Sequence, residues 1–228
     1  MIIEAFRSIQ GEGKTQGVNS TFIHFSECNA SCSICSIPLS DIKEMIDESD
    51  NIVFTGGEPL INKNFEDVMS LISNASYLKS YEIETNGTLL IPKDFLYTIR
   101  NINKKLLFNI SPQTNVMQEK NDILIEPILI MQLKEISNSN IDYIVKFLFK
   151  DEEDLIHIEK VRDKYQLEDN KIWCQPYGVN SETLKKIIND NFNNIIKRNW
   201  NISLRSHIFL FENKRGGLKD GFNGFCNK

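Results

Sequence analysis

The chain has no apolar run near the roughly 20 residues that a membrane-spanning helix needs, so no spanning segment is expected. Its start, Met1-Ile2-Ile3-Glu4-Ala5-Phe6, lacks the charged and apolar regions of a signal peptide. Blocks of like charge are missing too. The 26 basic and 31 acidic residues are interspersed and leave a formal net charge of −5. That balance offers no basic surface to nucleic acid or to an anionic membrane. No internal repeat, low-complexity stretch or obvious linker interrupts the 228 residues, a length that suits one sizeable αβ domain. Five cysteines, three of them clustered, lack the spread of a disulfide framework, and a reducing, cytoplasmic setting fits.

What is present is cysteine packed into one short run, Cys28-Asn29-Ala30-Ser31-Cys32-Ser33-Ile34-Cys35. The spacing is C-x3-C-x2-C, with no fourth ligand nearby. A structural zinc or a closed iron–sulfur cluster takes four protein ligands. Three thiolates around a four-iron cluster leave one iron open to a small molecule. The plainer readings are a zinc site that borrows a distant ligand, or buried thiols. Cys174 and Cys226 lie far away and read as ordinary thiols.

Short β-rich runs alternate with helical patterns. Predicted strands are 21–26, 52–55, 81–84, 106–110, 143–149 and 172–175, with a further one at 206–211. Predicted helices are 65–73, 93–101, 127–136, 152–165 and 181–199, with Asp151 and Ser181 as expected N-caps. Residues 37–50 must carry a short first crossover. This alternation argues for an α/β fold, a partial, open TIM-like barrel of about six parallel strands with crossover helices. It is read as a single domain, 1–228, with an N-terminal segment of about residues 1–20 and a tail of about 218–228.

Chemistry in such folds gathers at the C-terminal ends of the strands. Cys28 follows the first predicted strand and Thr55-Gly56-Gly57-Glu58-Pro59 spans the end of the second. Glu84-Thr85-Asn86-Gly87 ends the third, Ser111-Pro112-Gln113 the fourth, and Gln175-Pro176-Tyr177-Gly178 the sixth. Paired glycines let backbone approach a ligand closely, though Gly-Gly-Glu-Pro and Asn86-Gly87 also read as plain turns. Glu84, Asn86, Ser111 and Gln113 offer groups that suit a ribose and an amino-acid carboxylate. Lys146, in an apolar strand, is either a cation at the site or a solvent-facing side chain.

The cysteine spacing and the glycine run together resemble the radical S-adenosylmethionine enzymes. Two end segments narrow the resemblance: Phe6-Arg7-Ser8-Ile9-Gln10-Gly11-Glu12-Gly13, and Leu204-Arg205-Ser206-His207 through Asn213-Lys214-Arg215-Gly216-Gly217. Both resemble the 7-carboxy-7-deazaguanine synthase family, from about Ile3 to Gly217. The resemblance implies a homodimeric partial barrel that binds a 4Fe-4S cluster, S-adenosylmethionine and Mg²⁺, and that draws electrons from a flavodoxin or ferredoxin type donor. Its implied reaction is a lyase step in queuosine-type 7-deazapurine biosynthesis: a radical abstracts hydrogen from C6 of 6-carboxy-5,6,7,8-tetrahydropterin, and ring contraction with loss of ammonia gives 7-carboxy-7-deazaguanine. Cys28, Cys32 and Cys35 hold the cluster that starts the catalysis. Gly56, Gly57, Glu58, Glu84, Asn86, Ser111, Pro112, Gln113, Gln175, Pro176, Tyr177 and Gly178 are assigned to S-adenosylmethionine. Ile9, Gln10, Gly11, Glu12, His24 and Thr55 are assigned to the pterin.

The chain departs from the family pattern at several points. His24 stands where Arg usually presents itself to the substrate carboxylate, a weaker and pH-dependent substitute. Ile34 replaces an aromatic residue that packs on adenine. Ser36-Ile37 replaces the pair whose hydroxyl ligates Mg²⁺, and Ile37 cannot bind a cation; Ser36, Ser40 and Asp41 are the nearby oxygen donors. Gln113 replaces a frequent Lys, and the chain runs past Gly217 to Lys228. The competing readings are a glycyl-radical activating enzyme, a radical enzyme on a related heterocycle, and a non-enzymatic iron–sulfur or zinc protein.

Overall fold

The computed structural model describes residues 2–26, 49–74, 80–112 and 125–211. The cysteine run, residues 36–41, Gln113, Asn213 to Gly217 and the tail with Cys226 lie outside the described residues, as does almost all of the expected first crossover.

Eight strands form one sheet in chain order: β1 (Ile2–Ile9), β2 (Asn19–Phe25), β3 (Asn51–Gly56), β4 (Ser80–Thr85), β5 (Lys105–Ile110), β6 (Ile141–Phe149), β7 (Ile172–Pro176) and β8 (Asn201–Ile202). β1 runs antiparallel to β2, and every later pairing is parallel. Among the described residues β8 does not pair with β1, so the barrel stays open. The helices are α1 (Asn62–Asn74), α2 (Lys93–Arg100), α3 (Pro127–Ile136), α4 (Glu152–Tyr165), α5 (Ser181–Lys197) and α6 (Ser206–Phe211).

Alternation along the strands divides the sheet into two faces. Ile52 and Phe54 of β3, Tyr81 and Ile83 of β4, Phe108 and Ile110 of β5 and Val145 and Phe147 of β6 join one buried apolar cluster. Phe65 and Val68 of α1, Leu129 and Leu133 of α3 and Leu155 and Ile158 of α4 belong to the same cluster. The alternate positions, Thr55, Glu82, Glu84, Asn109 and Lys146, therefore face the barrel interior. Cys174 packs within the apolar cluster, and burial pushes its thiol far up, away from thiolate character.

The six parallel strands expected from the sequence coincide with β2 to β7. The seventh does not: Ser206–Phe211 is the short helix α6. A strand would place Ile208 and Leu210 on one face, yet Ile208 is 1% exposed and Leu210 59%. β1 is an added strand, registered by the stacked Phe6 and Phe22 rings at 5.1 Å. Asp151 caps α4, its Oδ1 accepting the Asp154 N–H at 3.1 Å. The cap of α5 is Asn180 instead of Ser181, because the Asn180 carboxamide accepts the Thr183 N–H at 2.8 Å. α1 begins at Asn62, three residues before the expected Phe65.

Phe54 is fully buried, stacked between Phe25 (centroids 6.4 Å) and Tyr81 (6.5 Å). Truncating it leaves a cavity that a close-packed core cannot close. Phe54→Ala should lower stability by about 3–5 kcal/mol, read as a fall in the urea midpoint with little change in slope.

Candidate active site

The N-terminal segment after β1 turns into the barrel and is held on three sides. Gln10 is buried; its Nε2 donates to Glu82 Oε2 at 3.2 Å and to Glu84 Oε1 at 3.4 Å, while its Oε1 accepts the Glu12 N–H at 3.1 Å. Thr15 donates its hydroxyl to Glu82. The Gly13 N–H donates to Ser203 Oγ at 2.8 Å, which donates onward to Gln175 Oε1 at 2.9 Å. Each tie takes a polar group that would be costly to bury unpaired.

Glu12 joins the two ends of the chain. Its carboxylate receives the Lys146 ammonium and lies 3.3 Å from Arg205 Nε, with His207 Nε2 at 3.9 Å. Burial pushes the Glu12 acid up, but Lys146, Arg205 and His207 outweigh it and take it down to about 2. Lys146 is raised: burial works against its charge, while Glu12, Glu84 and Glu82 favour it more strongly. Lys146 is thus an interior cation of this site, not a solvent-facing side chain. The contact continues through backbone. Ser206 N–H donates to the Gly11 carbonyl at 2.9 Å, and Arg205 Nη1 donates to the Gly178 carbonyl at 2.8 Å. A Cβ on Gly11 would collide with the His207 imidazole. Burial lowers the His207 pKa, partly offset by Glu12, with Arg205 and Lys146 adding to the fall.

The strand ends form the rim. Gly56 holds φ +95°, and a Cβ there would meet the Phe25 carbonyl at 2.9 Å, so the chain passes hard against the end of β2. Gly57 N–H donates to that same carbonyl at 2.7 Å. Glu58 turns inward. Its carboxylate accepts Thr85 Oγ1 at 2.7 Å, Asn86 N–H at 2.8 Å and Leu60 N–H at 3.0 Å. Burial raises its pKa, and these bonds pull the other way. Glu58 is therefore a clamp between the β3 and β4 loops. The Asn86 side chain closes a turn onto Thr88, accepting its N–H at 2.9 Å and hydroxyl at 2.6 Å. Thr55 Oγ1 donates to Glu84 Oε2 at 2.7 Å. Tyr177 stands partly exposed at the rim after Pro176, its N–H bonded to the Phe149 carbonyl at 2.8 Å. His24 pairs with Glu4, Nδ1 to Oε2 at 3.1 Å, and meets the edge of Phe6 at 5.5 Å. Ile9 ends β1 opposite Asn19.

Ser111 donates its N–H to Thr85 O at 2.7 Å, but its hydroxyl is buried without a hydrogen-bond partner among the described residues, next to buried Pro112. A carboxylate or hydroxyl of a bound nucleotide would satisfy it. This orphaned group and the tight glycine approach fit an S-adenosylmethionine cradle on this rim. Among the described residues no group of three or more His, Cys, Asp and Glu is placed to hold a metal ion.

The structure adds interior residues that the motif reading did not assign: Glu82, Asn109, Thr15, Ser203, Arg205 and His207. Glu82 and Glu84 alternate with Tyr81 and Ile83, and that spacing alone marks two carboxylates on one strand face.

No family model matches the chain. It is 35% identical over 106 residues to the 7-carboxy-7-deazaguanine synthase of Haemophilus influenzae, covering 42% of this chain and 49% of that one, so it spans about half of that relative's length. It is 26% identical over 235 residues to the synthase of the same name from Rhodopirellula baltica, covering 95% of this chain and 88% of the relative. Two solved structures share the fold. QueE from Escherichia coli superposes with a TM-score of 0.54 at 21% identity, over 89% of this chain and 92% of that one. Streptococcus suis SuiB bound to S-adenosylmethionine gives 0.51 at 14%, over 81% and 45%.

Two variants test the join between the chain ends. Lys146→Met should cost about 3 kcal/mol, since it leaves Glu12 buried with one cation fewer. Because the folded acid sits below its ordinary value, Glu12 stabilises the protein above about pH 4.5 and loses that contribution as pH falls toward 2. Glu12→Gln should flatten the decline of stability across that window; an unchanged decline in pH-dependent melting would remove the assignment. The resemblance drawn from the motifs is borne out: in sequence the chain is similar to several 7-carboxy-7-deazaguanine synthases, and to that of Rhodopirellula baltica along nearly its whole length.

Proposed function

We propose that the chain is a radical S-adenosylmethionine enzyme that converts 6-carboxy-5,6,7,8-tetrahydropterin to 7-carboxy-7-deazaguanine with loss of ammonia, a carbon–nitrogen lyase reaction. The observation that carries this reading is the meeting of the two end motifs at one polar interior. Gln10 to Gly13 and Leu204 to His207 carry the same resemblance from opposite ends of the sequence, and they are joined through Glu12, Arg205 and the Gly11 carbonyl. The similarity to named synthases supports the same reading.

In this reading Cys28, Cys32 and Cys35 hold the cluster. Gly56, Gly57, Asn86, Ser111, Pro112, Gln113 and Gln175 to Gly178 line the S-adenosylmethionine site, and the likeness in fold to SuiB, solved with that nucleotide, supports the placement. Cluster and nucleotide together supply one-electron, hydrogen-abstracting chemistry when bound. The chain's own interior then has three tasks. Glu84, assigned from the sequence to S-adenosylmethionine, is bonded to the pterin-assigned Thr55 and is proposed instead to offer carboxylate acceptors to the N–H edge of a pterin. Gln10, pinned between Glu82, Glu84 and the Glu12 backbone, fixes the wall against which a flat ring lies. His24, on the rim with Glu4, is the side chain assigned to the substrate acid. Glu58 serves as support for the Asn86 loop. A homodimer, an electron donor of the flavodoxin or ferredoxin type, a cytoplasmic setting and a Mg²⁺ ion complete the proposal.

Anaerobically reconstituted protein, given the pterin acid, S-adenosylmethionine and a reductant, should form the deazapurine acid and ammonia. Cleavage of the nucleotide with no such product would remove the substrate. Cys32→Ala should abolish nucleotide cleavage altogether, since two thiolates do not retain the cluster. His24→Ala should raise KM about tenfold with a smaller change in kcat, the loss of one charge-assisted hydrogen bond; an unchanged KM would reassign the acid to another group.

A further inference from the structure

Glu82 has no place in the chemistry described so far, yet it is the most enclosed carboxyl of the interior. It is fully buried on β4, and all its ties are to neutral donors. Thr15 and Gln10 reach it from the N-terminal segment, Gln10 at 3.2 Å, and Asn109 Nδ2 reaches it from β5 at 2.8 Å. Two positions along the same strand face stands Glu84, and one carboxamide, that of Gln10, bridges both acids. The charged groups around the pair come from three further elements. Lys146 on β6 is committed to Glu12, Glu12 lies on the N-terminal segment, and Arg205 and His207 at α6 face Glu12. Thr55, reaching Glu84 from β3, does not titrate. No cation bonds Glu82 among the described residues. Two carboxyls that share one carboxamide donor, one of them fully buried, oppose each other's ionisation.

We propose that Glu82 is a positioning residue: it clamps Gln10 and Thr15 to the barrel wall and governs, through its own proton, the negative charge that a ligand meets beside Glu84. Lys146 and Arg205 meet Glu12. Among the described residues no cation contact of that kind meets Glu82, so its ionisation adds a negative charge that no bonded cation offsets. Burial, with Glu84 beside it, raises the Glu82 acid to about 7, while Thr15, Asn109 and Gln10 resist the rise. Asn109 suits this role, because its Oδ1 is buried without a hydrogen-bond partner. A turn of that carboxamide lets the oxygen accept the Glu82 proton, and the two orientations differ only in which end faces the acid. The consequence concerns the ligand class and rests on the proposed function: an anionic heterocycle binds best while Glu82 keeps its proton.

Two readouts test it on the full, anaerobically reconstituted chain. The first needs no ligand. Infrared titration should show one protonated carboxyl lost between about pH 6 and about pH 8. The band should be missing in Glu82→Gln, and its midpoint should move up in Thr15→Val, which removes a donor that favours the charged form. Persistence of the band in Glu82→Gln, or an unmoved midpoint in Thr15→Val, overturns the proposal. Thr15→Val carries the test alone if Glu82→Gln does not fold. The second readout is fluorescence binding of pterin-6-carboxylate against uncharged 6-hydroxymethylpterin. The wild-type Kd for the acid should weaken by up to about tenfold over the same range, with little change for the uncharged pterin and a flat profile for the acid in Glu82→Gln. The same slope in Glu82→Gln overturns the proposal. If neither pterin binds at any pH, the proposed function falls, and the carboxyl titration alone decides for or against Glu82.

Discussion

One carboxylate holds this molecule's ends together. Glu12 enters an interior that would repel it, and it stays charged there because Lys146 and Arg205 arrive from β6 and from the segment before α6. Desolvation and attraction are both large at such a place, and the geometry decides the sign. Here attraction exceeds the cost of burial, so the acid lies below its ordinary range and the lysine above its own. The chain is thereby closed on itself across residues 12, 146 and 205, although among the described residues β1 and β8 do not pair. Ser203, Gly13 and Gln175 continue the closure with uncharged groups. The segments that follow β1 and β8 are thus joined by side chains and by the Ser206 N–H bond to the Gly11 carbonyl, not by a strand ladder.

The rim depends on a second buried acid used differently. Glu58 accepts three hydrogen bonds from Leu60, Thr85 and Asn86, and so fixes the loop after β4 to the loop after β3. Loops that carry ligands need such support, because their backbone groups are otherwise free to move toward water. Gly56 completes it by letting the chain pass against Phe25 where any side chain would clash. Rigid strands, an inward clamp and a glycine passage together aim the strand ends at one place. Ser111, with its unpartnered hydroxyl, faces the consequence: a polar group kept buried at the rim with nothing of the described protein to bond.

The parallel strands were legible because each carries an apolar run between turn residues, and the helix that follows β5 was legible to both its ends, 127 and 136. β1 was not, since Ile2–Ile9 mixes Glu4, Arg7 and Ser8 among its apolar residues and relies on pairing with β2 to be extended. α6 reads as a strand because Ile208, Phe209, Leu210 and Phe211 are apolar in succession, and period gives no answer for so short a run. The rim motifs were legible as motifs, but not which side chains face a ligand. Glu58 and Asn86 look like ligands in sequence; the structure adds that the Glu58 carboxylate ties loop to loop and the Asn86 carboxamide oxygen closes a turn. Lys146 could not be placed from sequence, because its partner Glu12 lies 134 positions away. Glu82 was hidden for the same reason: its donors come from Gln10, Thr15 and Asn109, and no local pattern joins them.

The shape of the interior also bears on what kind of partner the site takes. An activator of a glycyl radical must admit a loop of another protein to the strand ends, which asks for an open mouth and a backbone-wide channel. Among the described residues the interior is already tied together by bonded polar groups: Gln10 and Thr15 reach Glu82, Gly13 reaches Ser203, and Glu12 meets Lys146. Admitting a protein segment among these groups would mean breaking such ties, and a buried acid stripped of its cation is costly. A small molecule that takes up hydrogen-bonding groups already present, such as the Glu84 carboxylate and the Thr55 hydroxyl bonded to it, would carry no such cost.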